Sequence, residues 1–417
     1  MDQYDLVICG AGPAGTTTAR FAAKAGFSVL LVEKKDFPRD KVCGGGLRPE
    51  IMESRDFSYV ANKRSEFVEN ECFSVRMYGS DPSKFISYEA PSSEPIMYGT
   101  TRRNFDQVLF ELATDAGAKA LTKTTVKRID VGKDQVLVGL DDGQEVKARI
   151  VIGAGGMQDP VAKVLREKEG LPSSWRTEEI GLAVAHEYEV GEEFIQEHYG
   201  PKNTCHFHLK PEGVYGYAWA FPKRTKLNIG FGAFLKDIKG TDLKAAVGGY
   251  LKLLKRSGLF PKDNDQVEFK GARLPLRGPI ERTYSERLLL VGDAAGFVSP
   301  ISGDGINFAM SSGLLAAQVA GQCLEKGDCS KKALSKYEVQ WRSRWDKDFK
   351  VLCELADLVE KDLERIIGNF SKDDKLIEMM VHVYNGRVKP SEIITKLKLR
   401  YAKTMIFGGS SKKNKKG

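Results

Sequence analysis

The segment that decides the fold is YDLVICGAGPAG, residues 4–15, which leads through a helical pattern into a second apolar run at residues 28–33. The order is a buried apolar strand, a glycine-rich turn, a helix and another strand. This order starts a βαβ unit, and such units build a parallel sheet that is covered by helices. The sequence therefore predicts an α/β fold with a dinucleotide-binding domain.

The glycine-rich turn has the composition needed for close approach to a phosphate group. Gly10 permits the tight turn after the strand, and Gly12 lets backbone amides come close to a diphosphate. Gly15 lets the helix pack against the strand, and the first helical residues, including Ala14, present N–H groups to negative charge. A purely structural glycine turn is the alternative, but the strand and helix around it favour a cofactor site.

An acidic residue ends the second strand. Glu33 stands 18 residues after Gly15, where a carboxylate accepts hydrogen bonds from an adenosine ribose. Lys34 follows it and is included in the predicted cofactor site. Because Glu33 disfavours a 2′-phosphate, this segment alone predicts FAD or NAD rather than NADP.

A second glycine-rich segment is RLLLVGDAAG, residues 287–296, which continues as FVSPISGDG, residues 297–305. A hydrophobic strand delivers Asp293 into a bend, and a helix is expected over residues 303–325. The segment resembles the second FAD fingerprint of the flavoprotein class that includes para-hydroxybenzoate hydroxylase. This resemblance implies that Asp293 binds a ribityl hydroxyl and that the helix N-terminus faces the isoalloxazine. The other cofactor-binding residues it implies are Gly292, Gly303, Gly305 and Ile306.

Two such fingerprints in one chain favour FAD over NAD. Arg102 precedes a helix that is expected over residues 104–116, and the same class has an arginine near the flavin diphosphate at this place. A solvated, charged helix start is the alternative for Arg102. One segment departs from the class: residues 153–156 are Gly-Ala-Gly-Gly, where the class has Gly-Ala-Asp-Gly. The missing carboxylate leaves the reductant open.

Two more segments resemble the geranylgeranyl reductase family, flavoproteins that saturate isoprenoid double bonds. They are KVCGGG, residues 41–46, and YAWAFP, residues 217–222, which is followed after seven residues by Gly-Phe-Gly. The resemblance covers roughly residues 1–325. It implies that Cys43, Gly44 and Gly45 lie next to the flavin. It also implies a prenyl channel lined by Tyr217, Trp219, Phe221, Pro222, Gly230 and Gly232. Taken singly, the aromatic residues also fit a half-buried strand, and Cys43 fits a small buried hydrophobic residue.

The predicted architecture is a two-dinucleotide-binding-type FAD domain with a parallel central sheet, an inserted antiparallel-sheet substrate domain and a helical C-terminal region. The FAD domain is predicted at residues 1–60, 100–160 and 275–325, and the substrate domain at residues 61–99 and 161–274. The helical region is predicted at residues 326–403, before a basic tail at residues 404–417.

Finer patterns place individual strands and helices. Antiparallel pairing is predicted for residues 124–131, 135–140 and 144–149, with a return to the parallel sheet at residues 150–152. The substrate domain is expected to pair antiparallel segments at residues 178–190, 194–199, 204–210, 214–221 and 226–234. A helix is expected near residues 241–257.

The net charge of +8 comes from the C-terminal end. Residues 396–417 hold eight basic side chains and no acidic one, so the rest of the chain is neutral. With no basic patch on the body, nucleic-acid binding is not expected. Residues 393–407 interleave apolar and basic side chains, which predicts an amphipathic segment attracted to an anionic membrane surface. A disordered, solubilising end is the alternative for residues 409–417.

The remaining composition describes an ordinary reduced protein. The seven cysteines and five histidines show no metal-ligand spacing, so no metal is expected, and the odd cysteine count argues against a disulfide framework. The sequence has no apolar run of the ~18–20 residues that span a bilayer, and its N-terminus does not resemble a signal peptide. The expected location is the cytoplasm, peripherally at the inner face of the membrane.

The functional hypothesis is an FAD-dependent reductase that saturates isolated C=C bonds of geranylgeranyl chains, with a prenylated lipid as its substrate. An isolated alkene is not electrophilic, so the hydride from flavin must be accompanied by a proton, for which Cys43 is the candidate donor. A glycerophospholipid precursor, a prenyl diphosphate, a chlorophyll precursor and a quinone remain alternative substrates. NAD(P)H, ferredoxin and another reductant remain alternative electron donors. A flavin monooxygenase and a non-catalytic prenyl-lipid carrier are the alternative functions.

Overall fold

The computed structural model describes residues 1–81, 85–213 and 216–407. By internal packing the chain divides into two units, each assembled from three segments. The first unit contains Met1–Lys41, Arg102–Ile180 and Arg273–Lys350. The second contains Val42–Thr101, Gly181–Ala272 and the described residues from Val351 onward.

This division differs from the predicted domain boundaries. Residues 42–60 and the described residues after Lys350 belong to the second unit, and residues 161–180 and 326–350 belong to the first. The predicted separate C-terminal region is therefore shared between the two units.

The strands in chain order are β1 (Gln3–Cys9), β2 (Val29–Val32), β3 (Gly46–Leu47), β4 (Val68–Cys72), β5 (Ser74–Tyr78), β6 (Phe85–Glu89), β7 (Met97–Thr100), β8 (Lys119–Leu121), β9 (Val126–Val131), β10 (Val136–Leu140), β11 (Glu145–Gly153), β12 (Ile180–Glu189), β13 (Cys205–Leu209), β14 (Tyr217–Pro222), β15 (Lys226–Phe234), β16 (Lys270–Pro275), β17 (Tyr284–Ser285) and β18 (Leu288–Leu290).

The α-helices in chain order are α1 (Pro13–Lys24), α2 (Pro49–Glu53), α3 (Ser58–Ala61), α4 (Arg102–Thr114), α5 (Pro160–Lys168), α6 (Glu192–Tyr199), α7 (Leu243–Arg256), α8 (Ile306–Glu325), α9 (Lys331–Trp341), α10 (Lys347–Lys361), α11 (Leu363–Phe370), α12 (Asp374–Tyr384) and α13 (Pro390–Phe407). A π-helical turn, Arg342–Asp346, joins α9 to α10.

The first unit is built on an eight-stranded sheet with the order β17-β18-β11-β1-β2-β8, to which β10 and β9 are attached beside β11. Parallel pairing joins β1 to β11 and β2, as the strand–turn–helix sequence predicts. Strand β11 begins as the antiparallel partner of β10 and continues as the parallel partner of β1. The predicted return to the parallel sheet at residues 150–152 is thus confirmed.

Helices α1 and α8 pack against each other in the core of the first unit. A Cβ atom on Gly313 would lie 2.4 Å from the Ala14 carbonyl oxygen, so glycine is what permits the close approach. The Thr18 hydroxyl donates hydrogen bonds to the carbonyls of Ala14 at 2.8 Å and of Gly313 at 3.1 Å. Helix α8 begins at Ile306 rather than at Gly303, because Gly303 has a left-handed φ of 67°.

The second unit contains a seven-stranded sheet with the order β16-β12-β15-β14-β13-β5-β6 and a three-stranded sheet with the order β3-β7-β4. The predicted antiparallel pairing is confirmed for β12, β13, β14 and β15. Strand β5, for which no partner was predicted, pairs with β13 in parallel. These two strands are distant in sequence, so no tight hairpin constrains their direction.

The predicted strand at residues 194–199 is wrong, because this segment is helix α6. Gly191 before it has a φ of 85°, and Glu192 and Glu193 occupy the first turn, where acidic residues favour a helix. Ile195 and Tyr199 are the buried residues, at the spacing of one helical turn. Helix α7 confirms the helix expected near residues 241–257, with Asp242 as its N-cap.

Helices α9 to α13 confirm the predicted helical character of the C-terminal part. Among the residues that the structure describes, no helix combines the length and the apolar composition needed to cross a membrane. The part of the predicted basic tail beyond residue 407, and residues 214–215 of a predicted strand, lie outside the described residues.

Candidate active site

The phosphate-binding turn of the first unit requires its glycines. Gly10 has a φ of 106°, and a Cβ atom there would lie 2.6 Å from the Ala154 carbonyl oxygen. A Cβ atom on Gly15 would lie 1.8 Å from the Gly10 carbonyl oxygen. Gly12 is the N-cap of α1, and no side chain caps this helix. The N-terminus of α1 therefore has the backbone geometry and the open N–H groups that a diphosphate needs.

The two fingerprints meet within the first unit. Gly292 has a φ of 57°, and a Cβ atom on it would lie 3.0 Å from the Ala14 side chain. Helix α8 starts at Ile306 with Gly305 as its N-cap and, like α1, has no side-chain cap. Asp293 is partly exposed on the bend, where Lys41 Nζ lies 3.4 Å from Asp293 Oδ2.

The Glu33 carboxylate holds the glycine-rich turn in place through two hydrogen bonds. Its Oε2 accepts the Ala11 N–H at 2.9 Å, and its Oε1 accepts the Lys35 N–H at 3.1 Å. The side chain is buried, whereas Lys34 is exposed. The carboxylate thus holds the loop in shape in addition to its predicted role toward the ribose.

A buried arginine that sequence reasoning missed lies at this turn. Arg39 donates from Nη2 to the Ala11 carbonyl at 3.2 Å and pairs through Nη1 with Asp106 at 3.0 Å. The predicted Arg102 is also buried, and its Nε and Nη2 contact the two oxygens of Asp106 at 2.6 and 2.7 Å. A Cβ atom on Gly12 would lie 3.7 Å from Arg39 Nη2. Apart from its position just after the second strand, Arg39 has no signal in the sequence.

The structure around residues 153–156 accounts for the carboxylate that is missing at Gly155. Asp159 Oδ2 accepts the Gly155 N–H at 2.6 Å, and Asp159 Oδ1 accepts the Ala162 N–H at 2.9 Å. A Cβ atom on Gly155 would lie 2.8 Å from Asp159 Oδ2, so the Asp159 carboxylate fills the space into which a side chain at 155 would project. Burial raises the pKa of Asp159 to about 6, against the opposing effect of these N–H donors.

In the second unit the structure brings together two segments that the sequence placed 170 residues apart. We call Val42–Gly46 the Cys43 loop, and Tyr217, Trp219 and Phe221 the aromatic row. A Cβ atom on Gly44 would lie 3.0 Å from the Phe221 ring and 3.3 Å from Trp219 Nε1. The half-buried Cys43 therefore stands in a loop that rests directly on the aromatic row.

The aromatic row lies along one face of β14. Trp219 covers Gly230 of β15, where a Cβ atom would come within 2.1 Å of the indole. Gly232 is the partner of Tyr217 in the same pairing. Trp219, Phe221 and Pro222 are buried, and Tyr217 is half-buried. The two glycines leave room for large rings above a sheet strand.

Two further aromatic residues extend this surface and were missed. The ring of Phe207, on β13, lies 5.0 Å from that of Phe221 and 6.4 Å from that of Tyr217. Tyr384, at the end of α12, lies 6.1 Å from Phe207. Alternation along β13 is a signal for Phe207, but no local pattern connects Tyr384 to this surface.

Polar side chains that were also missed lie beneath the Cys43 loop. They are Glu187, Lys223 and Asn228. Lys223 is fully buried and Asn228 nearly so. Burial raises the pKa of the Glu187 carboxyl, with the positive charge of Lys223 opposing the rise.

Comparison with known proteins agrees with this geometry. Residues 3–199 match the family model described as an FAD binding domain. A digeranylgeranylglycerophospholipid reductase of Methanocaldococcus jannaschii is 32% identical over 82% of this chain and 83% of its own. A protein of the same name from Methanopyrus kandleri is 31% identical over 91% of this chain and 96% of its own. The chain belongs to the geranylgeranyl reductase family.

Solved structures extend the likeness over nearly the whole chain. A geranylgeranyl bacteriochlorophyll reductase-like protein of Thermoplasma acidophilum has a TM-score of 0.76 and 25% identity, covering 99% of this chain and 98% of its own. A flavin-dependent brominase, at 20% identity and a TM-score of 0.72 over 96% of this chain and 99% of its own, shares the fold alone. This member of the reductase family is an FAD-dependent oxidoreductase, and the α/β fold with its FAD domain is confirmed.

The residues present in the first unit fit FAD. Two uncapped helix N-termini follow glycine turns in which a side chain at Gly10, Gly15 or Gly292 would crowd neighbouring atoms, and Glu33 is fixed beside the first turn. Over residues 1–81, 85–213 and 216–407, no group of three or more His, Cys, Asp or Glu side chains is arranged to hold a metal ion.

Proposed function

We propose that this reductase saturates isolated C=C bonds of geranylgeranyl chains carried by membrane glycerophospholipid precursors. The names of its relatives support the substrate class. The structural observation that carries the proposal is the contact of the Cys43 loop with the aromatic row, because it joins a thiol to an apolar, aromatic surface within one unit.

The cofactor would be held by the residues of the first unit described above. They are Gly10, Gly12, Ala14, Gly15, Glu33, Lys34, Arg102, Gly292, Asp293, Gly303, Gly305 and Ile306. The family resemblance adds Cys43, Gly44 and Gly45 to the proposed cofactor-binding residues. When bound and reduced, FAD supplies the hydride for alkene reduction. The helix N-termini favour the negative charge that the cofactor carries.

The side chains of the second unit supply the proton and stabilise developing charge. Cys43 donates its thiol proton to one alkene carbon while the other carbon receives the hydride, so that the double bond becomes a CH–CH single bond. The Cys43 thiolate that remains then regains a proton from water. Positive charge that develops on the more substituted carbon is stabilised by the faces of Trp219 and Tyr217, at ~0.5–2 kcal/mol.

The same surface binds the prenyl chain through its apolar area. Each CH₂-sized unit that leaves water contributes about 0.8 kcal/mol. Phe221, Pro222, Gly230 and Gly232, with Tyr217 and Trp219, form the proposed substrate-binding set.

The experiment that tests the proposal separates three outcomes. The enzyme is photoreduced without oxygen and mixed with a geranylgeranylated glycerophospholipid, while flavin absorbance and lipid mass are followed. Reoxidation by the alkene, with the lipid gaining hydrogens two at a time, supports the reductase. Oxygen is then admitted to samples that the lipid has not reoxidised. Reoxidation with hydroxylated product at that point would identify a monooxygenase, and reoxidation with unchanged lipid would identify a carrier. A prenyl diphosphate, a chlorophyll precursor and a quinone serve as competing substrates.

Replacing Cys43 by Ala is expected to slow alkene reduction by about 10²-fold or more, the usual contribution of a positioned proton donor. The flavin content measured by absorbance should not change, because the glycine turns of the first unit are untouched. Cys353→Ala, which removes the other incompletely buried cysteine, is the matched control. Undiminished turnover in Cys43→Ala would remove the thiol from the mechanism.

The electron donor belongs to the same proposal. NADH, NADPH and reduced ferredoxin are each mixed with the oxidised enzyme without oxygen, and the rate at which the flavin is bleached identifies the physiological class. Rapid bleaching by ferredoxin alone would assign the enzyme a one-electron carrier.

We propose that the enzyme acts at the cytoplasmic face of the membrane through α13 and the residues after it. Lys396, Leu399, Lys403 and Met405 are exposed on α13. Leu397 is buried and Arg400 pairs with Asp373 at 2.8 Å, so truncation inside α13 would damage the fold. Truncation after Phe407, combined with Lys396→Glu and Lys403→Glu, should weaken binding to anionic vesicles but not to zwitterionic ones. Equal binding of the variant to anionic vesicles would exclude this surface.

A further inference from the structure

Three consecutive carbonyl groups of the Cys43 loop are held by two side chains of the sheet. Asn228 donates from Nδ2 to the Cys43 carbonyl at 2.9 Å. Lys223 donates from Nζ to the carbonyls of Gly44 at 3.0 Å and of Gly45 at 2.9 Å. Asn228 lies on β15 and Lys223 in the turn before it, so polar contacts fix the loop backbone to the β14–β15 hairpin in addition to ring packing.

The orientation of the Asn228 amide is determined by its other contacts. Trp219 Nε1 can only donate, and it lies 2.7 Å from Asn228 Oδ1. The Nδ2 group must then face the Cys43 carbonyl and Glu187 Oε1, which lies 2.7 Å away. Trp219 of the aromatic row and the Cys43 carbonyl are thus connected through one buried amide.

A buried ammonium group is an unusual anchor for a loop. Lys223 has 0% relative exposure, and removing a cation from water is unfavourable unless it is well paired. The partners that the structure gives Lys223 are its two carbonyl contacts and the nearby Glu187 carboxyl, whose pKa rise its positive charge opposes. Lys223 therefore joins the Cys43 loop to the buried polar side chains beneath it.

Because the loop carbonyls are fixed, the N–H group that donates a hydrogen bond to Cys43 Sγ is fixed as well. In a trans peptide the C=O and N–H groups point in opposite directions, so holding the Gly44 carbonyl toward Lys223 turns the Gly45 N–H away from it. That N–H donates to Cys43 Sγ at 3.3 Å. Gly45 has a φ of 68°, and a Cβ atom on it would lie 2.0 Å from the Thr100 carbonyl oxygen, so the conformation depends on glycine.

We propose that Lys223 and Asn228 are positioning residues that set the proton-donor strength of Cys43 through the backbone of its loop. An N–H donated to sulfur favours the thiolate that remains after proton transfer, and the carbonyl contacts of Lys223 and Asn228 hold the loop in the conformation that presents this N–H. This inference rests on the proposed role of Cys43 as the proton donor.

The charged and titratable groups that surround this arrangement come from several elements of the second unit. They are Lys223 and Lys226 at the ends of β14 and β15, Glu187 on β12, Glu69 and Cys72 on β4, and Cys205 on β13. Variants at Lys223 and Asn228 are therefore compared with a change of charge at Lys226, which lies on the same hairpin but is half-buried at its edge.

The test measures the reactivity of Cys43 without turnover. Holoenzyme is treated with iodoacetamide over a range of pH, and modification of Cys43 and of Cys353 is followed separately by peptide mass spectrometry. In Lys223→Met and Asn228→Ala, the midpoint of the Cys43 profile should rise by about 0.5–1 pH unit, as loss of one hydrogen bond to the sulfur implies. We use the midpoint because the plateau of the modification rate at high pH also depends on how accessible the thiol is to iodoacetamide. The profiles of Cys353, and of Cys43 in Lys226→Met, should not move.

Lys223→Arg keeps the charge and the donors, so it is expected to restore most of the wild-type midpoint. Flavin content and circular dichroism establish that each variant is folded. If Lys223→Met does not fold, Asn228→Ala tests the inference independently. An unchanged Cys43 midpoint in folded Lys223→Met or Asn228→Ala overturns the inference, as does an equal shift in Lys226→Met. Full turnover by Cys43→Ala would instead refute the proposed role of the thiol and leave the positioning result intact.

Discussion

At the scale of single residues, Gly230 shows how the aromatic row depends on an absent side chain. The Trp219 indole occupies the space above Gly230 and is held there through Asn228. A tryptophan fixed at both its ring and its nitrogen has little freedom to move aside.

Gly230→Ala is expected to lower the free energy of unfolding by about 1–3 kcal/mol, because the new methyl group overlaps the indole. It should also change tryptophan fluorescence and weaken binding of a prenyl lipid. Gly232→Ala is the matched control on the same strand, since its nearest contact would be an ordinary 3.6 Å. Denaturant unfolding measures both, and equal destabilisation by the two variants would contradict the crowding argument.

Asp159 makes the first unit sensitive to pH. Its pKa is raised from 3.8 to about 6 in the folded protein, so its contribution to stability is complete below about pH 4 and is lost as pH rises through 6. The loss corresponds to about 3 kcal/mol. In Asp159→Asn this part of the pH dependence should disappear, although the amide can accept from only one of the two N–H groups.

Urea unfolding of the wild type and of Asp159→Asn between pH 4.5 and 7.5 checks this expectation. The difference between the two curves isolates Asp159 from other titrating groups. A constant difference across this range would show that Asp159 does not ionise there.

At the scale of elements, the contact of α1 with α8 links helix packing to the phosphate turn. A methyl group on Gly313 would meet the Ala14 carbonyl oxygen and the Thr18 hydroxyl. Since Ala14 is in the first turn of α1, any separation of the helices there displaces the N–H groups proposed to face the diphosphate.

Gly313→Ala is therefore expected to reduce stability by about 1–3 kcal/mol and to weaken FAD retention during dialysis. Gly368→Ala, in α11, is the control, because a Cβ atom there meets nothing within 4 Å. Alanine is the better helix former, so that variant should be neutral or more stable by up to about 1 kcal/mol. Unaltered flavin retention in Gly313→Ala would separate the helix contact from the cofactor site.

Local sequence patterns predicted helices and strands well where one buried face or one turn sequence determined the element. The βαβ start, the hairpins around β10 and helix α7 follow from apolar runs and turn residues. Residues 194–199 were mispredicted because six residues satisfy both a strand and a helix pattern until Ile195 and Tyr199 are known to be buried together. The parallel pairing of β13 with β5 depends on chain connections that no local pattern records.

The residues of the candidate site likewise fall into those that local sequence patterns predict and those that they do not. The sequence alone identified the glycines whose backbone conformation or close contacts require glycine. It also identified the segments that resemble a known family. Arg39, Asn228 and Lys223 were not, because their roles depend on strand register and on which carbonyl or carboxylate each side chain reaches. Asp159 was hidden because it acts on a turn four residues before it.

At the scale of the whole molecule, two buried histidines make the second unit sensitive to mild acid. Burial lowers the pKa of His206 to about 3 and that of His208 to about 4. Their Nδ1 atoms lie 3.0 Å from the hydroxyls of Tyr78 and Tyr250 respectively. Each stabilises the fold above about pH 6.5 while neutral, and that stability is lost as pH falls.

At pH 5 the loss is expected to be about 2 kcal/mol for each histidine, whereas Asp159 stabilises the first unit as pH falls. Hydrogen exchange followed by mass spectrometry, corrected for intrinsic rates, should show peptides of the second unit losing protection first. His206→Gln with His208→Gln should reduce this difference. Simultaneous loss of protection in both units would refute it.

The interleaving of the two units has a consequence for synthesis on the ribosome. A nascent chain that has emerged as far as Ala272 contains β1, β2 and β11 but lacks β17, β18 and α8, which complete the sheet and cover of the first unit. Contacts of such long sequence separation form slowly, and an exposed sheet edge is prone to aggregation until then. Fragments that end before α8 should therefore require chaperones, and expression of either unit requires rejoining its segments rather than cutting the gene once.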